Sequence, residues 1–444
     1  MDGDRMVRKL LVGWGIFAAS AAAQSVTGFV DQQLPGLVTT YKTLHAAPEL
    51  SHHEEKTSAF LASEMRKAGY TVTERVGVYH DGSRAYGVVG ILKNGAGPTL
   101  LIRADMDALP VTEDTGLAYA SKVRSTNPAG QEVGVMHACG HDIHITTLIG
   151  VARAMAALKS QWHGTLMLIG QPSEETIDGA KAMMTDHLYE RFGKPDMAIA
   201  LHDSPFPAGL VAVVPGAALA SSTSIDVIMR GIGSHGSAPE QGKDPIVMAG
   251  EFITQLQTVV SRSVPPQQPA VVTVGQIHGG TKRNIIPDEV KMELTTRSYS
   301  EDVRQIIIEG VKRTAKGVAI AAGVPEDRMP IVNVLENEST TATINDPALS
   351  ARLQNLFVSK LGVEHVIEVK PIMGSEDFGF FGADGKVPYV IFWLGADDPV
   401  VFADHQKRGL AMPALHSAHF APLPEPALKT GVTAMTDAAL DLLQ

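Results

Sequence analysis

Cysteine is almost absent from this chain: Cys139 is the only one in 444 residues, so no intrachain disulfide can staple the fold. Cations are in deficit, with 37 Lys and Arg against 48 Asp and Glu and a formal net charge of −11. That balance argues against nucleic acid or an anionic membrane surface as partner. Long apolar runs are missing too, since Leu10 to Phe17 falls short of the about 20 residues that span a bilayer. Internal repeats and low-complexity linkers are not seen. What is left is the composition of a soluble globular enzyme, 44% hydrophobic and 19% charged, long enough for two or three domains of roughly 100–200 residues.

The N-terminus carries a pattern of its own. Arg8 and Lys9 precede the apolar run, and Ala18-Ala19-Ser20-Ala21-Ala22-Ala23 follows it. A short basic region, an apolar stretch and small residues read as a secretory signal peptide over 1–23, cut after Ala23. Asp2 and Asp4 fit that pattern badly, and Met6 makes a cleaner start. The expectation is an exported protein, in a bacterial periplasm, with no membrane attachment after cleavage. An exported protein with one unpaired thiol needs a reason to keep it, and metal ligation is one.

The cysteine lies in Met136-His137-Ala138-Cys139-Gly140-His141-Asp142-Ile143-His144. Thiolate and imidazole are ligands that borderline metals such as zinc favour. A lone cysteine is usually a small buried hydrophobe, but three histidines around it make that reading the weaker one. The remaining ligands are sought at the ends of apolar strands. Thr99–Ala104 runs into Asp105 and Asp107, Gly164–Gly170 leads into Glu174 and Glu175, and Asp196–Leu201 ends in His202. Such continuous runs suit a mainly parallel sheet covered on both faces, and open α/β sheets bind ligands at their carboxyl strand ends. Helices are expected between the strands, at Thr146–Lys159 and Asp178–Glu190.

Beyond Pro215-Gly216 the pattern changes to β-α-β-β-α-β, with strands near 224–230, 270–277, 289–298 and 330–336 and helices near 245–261 and 300–322. This is the order of a ferredoxin-like α+β insert. The expected organisation is α/β: a catalytic domain over 24–218 and 337–444, interrupted by a lid domain over 219–336.

Cys139, His141, Glu175, His202 and His416 make a sulfur, nitrogen and oxygen donor set large enough for two metal ions. Glu174, beside Glu175, is the natural carboxylate to take a proton from water and pass it to a departing amine; negative charge near a helix start would also suit both glutamates. His235, in a Gly-rich turn of the insert, reads equally as a site residue or an exposed loop histidine. Asn284 and Arg297 can be surface polar residues, or together a cation and amide for a substrate carboxylate.

These motifs resemble the aminoacylase/carboxypeptidase-type dinuclear metallohydrolases, in the branch with hippurate hydrolase, indole-acetyl-amino-acid hydrolases and N-acyl-amino-acid deacetylases. The resemblance covers nearly the whole mature chain. It rests on Ala104–Pro110, His137–Asp142, Pro172–Glu175 and Leu201-His202. It continues through Gly233–His235, Asp244–Ile246, Gly280–Pro287, Gly374–Phe378 and Leu415-His416. It implies a zinc-peptidase-like catalytic domain, a lid that often dimerises, and two divalent cations, zinc or manganese, with cobalt or nickel also able to occupy such sites. By the same resemblance Cys139, His141, Glu175, His202 and His416 are the ligands and Glu174 the base. Asp107 would orient a ligand or tune the site, and His235 would steady the oxyanion, reaching the site from a partner subunit. Ser173 departs from the usual alanine, and Asp203-Ser204 replaces more hydrophobic residues beside the substrate. The expected activity is hydrolysis of N-acyl or N-aroyl amino acids. Its rivals are a dipeptidase or carboxypeptidase of the same fold, and a periplasmic binding protein, which would not need Glu174 or the donor set.

Overall fold

The computed structural model describes residues 25–127 and 129–444. The stretch expected as a signal peptide lies outside the described residues. Among the described residues no helix is long and apolar enough to cross a membrane.

The continuous apolar runs form the centre of a seven-stranded sheet. Gly164–Gln171, Thr99–Asp105, Met197–Pro207 and Tyr389–Asp397 are neighbours in that order and run parallel. Antiparallel strands close the edges, Arg84–Asn94 and Thr71–Val78 on one side and Val211–Val213 on the other. Alternate side chains serve opposite faces. Leu100, Ile102 and Ala104 pack with Leu37, Ile149 and Val432 from the helices Val26–His45, His141–Ala157 and Pro424–Leu442. Leu101 packs on the other face with Met167, Ile169, Trp393 and Phe378. Burial on both faces is the reason these strands carry no polar alternation.

Two helices differ from the sequence pattern. The one expected from Thr146 begins at His141, because Gly140 at φ +74° turns the chain directly into it. The one expected over 178–190 is two, Gly179–Thr185 and Leu188–Phe192, parted by His187 at φ +59°. A left-handed residue cannot continue a right-handed helix.

The second sheet runs in the order Ala270–Gly279, Glu289–Ser298, Ser221–Arg230, Ile331–Thr340, every neighbour antiparallel. The helices Pro245–Arg262 and Glu301–Ala321 complete a ferredoxin-like βαββαβ unit. Both cover one face, where Phe252, Ile307 and Val311 meet Ile225, Val227 and Leu294. The opposite face presents Ser222, Ser224, Thr295 and Arg297 to a cleft against the larger domain.

Phe392, fully buried on a central strand with its ring 5.0 Å from that of Phe357, tests this core. Phe392→Ala should cost about 3–5 kcal/mol, read as a lower denaturant midpoint for the larger domain.

Candidate metal centre and active site

The site forms where two of the parallel strands release the chain, beside a third that carries His202, and where Gly140 starts a helix. A Cβ at Gly140 would stand 2.0 Å from Asp203 Oδ2, so only glycine lets the Cys139–His141 turn approach the strand carrying His202. That strand does not end at His202, as the apolar run suggests, but continues to Pro207.

Cys139 Sγ lies 3.5 Å from His202 Nε2 and 3.3 Å from His416 Nε2. Ligand atoms of Cys139, His141 and His202 fall within 4.8 Å of one another, as do those of Cys139, Glu175 and His416. Two triads thus share the thiol. The rings are oriented from behind: His141 donates through Nδ1 to the Asp107 carbonyl at 2.8 Å, and His202 through Nδ1 to the Asp203 carbonyl at 2.6 Å. Each Nε2 is left as a lone pair facing the cluster, the arrangement metal-binding histidines use. His141 Nε2 and Glu175 Oε1 are buried with no hydrogen-bond partner. Buried polar atoms are rarely left so, and their convergence with a thiol and two further imidazoles fits divalent cations.

Asp107 holds the two glutamates. Its Oδ1 accepts from the Glu174 amide and its Oδ2 from the Glu175 amide, both at 3.0 Å, while Ser51 donates to Oδ2 at 2.6 Å. Glu174 Oε2 and Glu175 Oε1 each lie 3.9 Å from His141 Nε2. Burial, then the charges of Glu376 and Glu175, push the Glu174 carboxyl well above its ordinary range. Burial likewise raises the Cys139 thiol well above its usual value, so the thiolate form needs positive charge beside it.

Of the other expected residues, Arg297 lines the cleft together with Glu175. Its guanidinium donates to Ser375 Oγ at 2.6 Å, and among the described residues it makes no ion pair. His235 and Asn284 are not brought to this cluster within one chain. They meet on the smaller domain, beside the short ladder of Ser234–His235 with Ile285–Ile286, exposed and outside the cleft lining.

Sequence reasoning passed over a buried network behind the donors. Arg103, fully buried, donates to Asp105 at 2.6 Å, to Glu376 at 2.7 Å and to Gln171 at 2.8 Å. His144 Nδ1 lies 2.5 Å from Asp105 Oδ1. Burial opposes ionisation of Asp105, but Arg103, then His141 and His144, outweigh it and hold the carboxyl well below its ordinary range. The available signal was an arginine inside an apolar run.

Comparisons with known proteins identify the family. Residues 101–437 match the family described as Peptidase family M20/M25/M40. The chain belongs to that family. It is therefore a hydrolase of amide bonds, with a mainly parallel central sheet and a cluster of metal-type donors. It is similar to the hippurate hydrolase of Campylobacter jejuni, 36% identical over 78% of this chain and 85% of that protein. It is also similar to thermostable carboxypeptidase 1 of Saccharolobus solfataricus, 33% identical over 90% of this chain and 93% of that one. Among solved structures, a dinuclear metal-binding peptidase of the M20 family from Bacillus subtilis superposes with a TM-score of 0.74. It is 26% identical and covers 93% of this chain and 99% of its own.

Arg103 sets a stability test for this M20-family site. Arg103→Met would leave Asp105 and Glu376 buried without their cation, a change that costs about 3–5 kcal/mol. A clear fall in melting temperature is expected, whether or not metal is added.

Proposed function

We infer that this protein hydrolyses the amide bond of N-acyl or N-aroyl amino acids, releasing a carboxylic acid and a free amino acid. The observation that carries the reading is the pair of donor triads sharing Cys139, with Glu174 Oε2 3.9 Å from His141 Nε2 beside them. Cys139, His141, Glu175, His202 and His416 would hold two divalent cations, zinc or manganese. When bound, these supply Lewis-acid polarisation of the amide carbonyl and lower the pKa of water.

The chain's own residues do the rest. Glu174 takes the proton of the attacking water on its carboxylate and returns it to the leaving nitrogen. Asp107 fixes where that carboxylate stands by gripping the amides of Glu174 and Glu175. Arg297, a cation on the lid face of the cleft with no ion pair among the described residues, binds the substrate carboxylate. His235 and Asn284, exposed together on the lid, would serve the site of a second copy in a homodimer joined through that domain. Export to the periplasm remains the reading of the first 23 residues.

The carboxypeptidase relative favours a second reading, a dipeptidase or carboxypeptidase, because Arg297 would hold a peptide's terminal carboxylate equally well. The two separate on a panel of N-acetyl, N-benzoyl and N-indoleacetyl amino acids and unblocked dipeptides given to metal-loaded protein. Amine release from blocked substrates alone is expected; release mainly from dipeptides would move the function to the peptidase.

Two variants test the roles. Glu174→Gln should keep its metal and lose turnover by about 10²–10⁴-fold, and normal turnover would remove the general base. Cys139→Ala should bind metal more weakly, read as metal content after dialysis; full occupancy would remove that ligand.

A further inference from the structure

The cleft, about 1480 Å³, has unlike walls. On the lid side it carries the hydroxyls of Ser222, Ser224 and Thr295, the cation of Arg297 and the carboxylates of Glu336 and Glu338, whereas the larger domain contributes Leu50, Leu109 and Ile177 together with the rings of His52 and Tyr79. Pockets for small ligands usually measure about 300–1,000 Å³, so both ends of an acylated amino acid have room.

His52 is held unusually. Its backbone sits at φ +67°, a conformation that persists only where the surroundings impose it. Here they do: the His52 amide donates to Glu54 Oε1 and to Ser173 Oγ, both at 3.0 Å. The ring Nε2 lies 3.1 Å from Asp178 Oδ2. One face of the imidazole is stacked on Tyr79, with centroids 4.2 Å apart and planes 8° from parallel. Tyr79 is itself buried, with its hydroxyl 2.6 Å from Ser173 Oγ. The His52 side chain is nevertheless 40% exposed. Backbone, edge and one face are thus fixed, and the exposed part of the ring lines the cleft within a few residues of the loop that carries Glu174 and Glu175.

We propose that His52 is the specificity-determining residue of this cleft, a platform whose open face stacks on a flat aromatic acyl group while Arg297 holds the amino-acid carboxylate on the facing wall. The inference rests on the N-acyl amino acid reading above. The hydrogen bond to Asp178 raises the proton affinity of the imidazole.

Binding to metal-loaded Glu174→Gln protein, measured by titration calorimetry, separates recognition from turnover. N-benzoylglycine should bind roughly tenfold more tightly than N-acetylglycine, and more tightly than N-cyclohexanecarbonylglycine, which matches its size but is not flat; an aromatic pair exceeds its area burial by about 0.5–1.5 kcal/mol. Adding His52→Asn, which tolerates the same backbone conformation but has no ring, should erase the preference, and His52→Phe should keep it. If Asn and Phe weaken all three ligands by one common factor, His52 only braces the neighbouring loop and the proposal is overturned. Equal binding of the flat and non-flat ligands overturns it without any change at His52. If none of the three binds, the N-acyl amino acid reading falls, and this proposal with it.

Discussion

The carboxylate of Asp107 is the constraint on which the site depends. Wholly buried, it takes the amides of Glu174 and Glu175 on separate oxygens and the hydroxyl of Ser51 on one of them, while its own carbonyl receives His141 Nδ1. Four segments distant in sequence are thereby set in one frame. Backbone amides around a buried carboxylate stabilise its charge, and burial alone would oppose that charge; His141 and Ser51 tip the balance toward the ionised form. Losing this group would release both glutamates and one imidazole at once, so its effect on the site exceeds that of any single hydrogen bond it makes.

Charge behind the site is handled by compensation. Arg103 lies among Asp105, Glu376 and Asp377 with essentially no exposure. Desolvating such ions costs several kcal/mol each, and mutual attraction repays it only when the geometry is good. The network is thus weak as a source of stability but strong as a source of order. It ties the strand Thr99–Asp105 to the segment Glu376-Asp377 and, through Asp105, steadies His144, whose Nε2 accepts from the Asp203 amide at 2.9 Å. That amide follows His202 directly, so the order reaches a donor of the cluster.

These relations explain what could and could not be read from the sequence. Apolar runs ending in Asp, Glu or His are a one-dimensional trace of parallel strands opening onto a site, and they pointed to Asp107, Glu174, Glu175 and His202. The βαββαβ insert was equally legible, because alternation in its strands reflects one covered face. Arg103, His144 and Glu376 were not, since apart from the Arg103–Asp105 pair their partners lie on other elements or hundreds of residues away, and only pairing in space distinguishes a buried ion network from scattered polar residues. The break at His187 was hidden for a related reason: a left-handed residue other than glycine has no compositional signature. His235 and Asn284 show the opposite case, where a motif was visible but the fold leaves both residues exposed and outside the cleft lining.

Backbone strain follows the same logic of enforcement. Of the eight non-glycine residues with positive φ among the described residues, His52, Ser173, Ile177 and His416 surround the site. Such conformations cost of order 1–3 kcal/mol each and survive only where other contacts over-determine them. Ser173 is fixed by its amide and hydroxyl, 2.9 and 3.0 Å from Glu54 Oε1, and His416 by its amide, 2.7 Å from the Ala138 carbonyl. Ile177 is the hardest to accommodate, being β-branched. Its amide, 2.8 Å from the Glu174 carbonyl, closes the turn that turns the glutamates inward. Ser173 and Ile177 are therefore adjacent in sequence or by hydrogen bond to the proposed base, His416 is itself a proposed ligand, and His52 is tied to Ser173 through its amide. A relaxed backbone at these positions would satisfy local preference and send the donors elsewhere, so the fold spends stability from its two-faced core to keep the cluster converged.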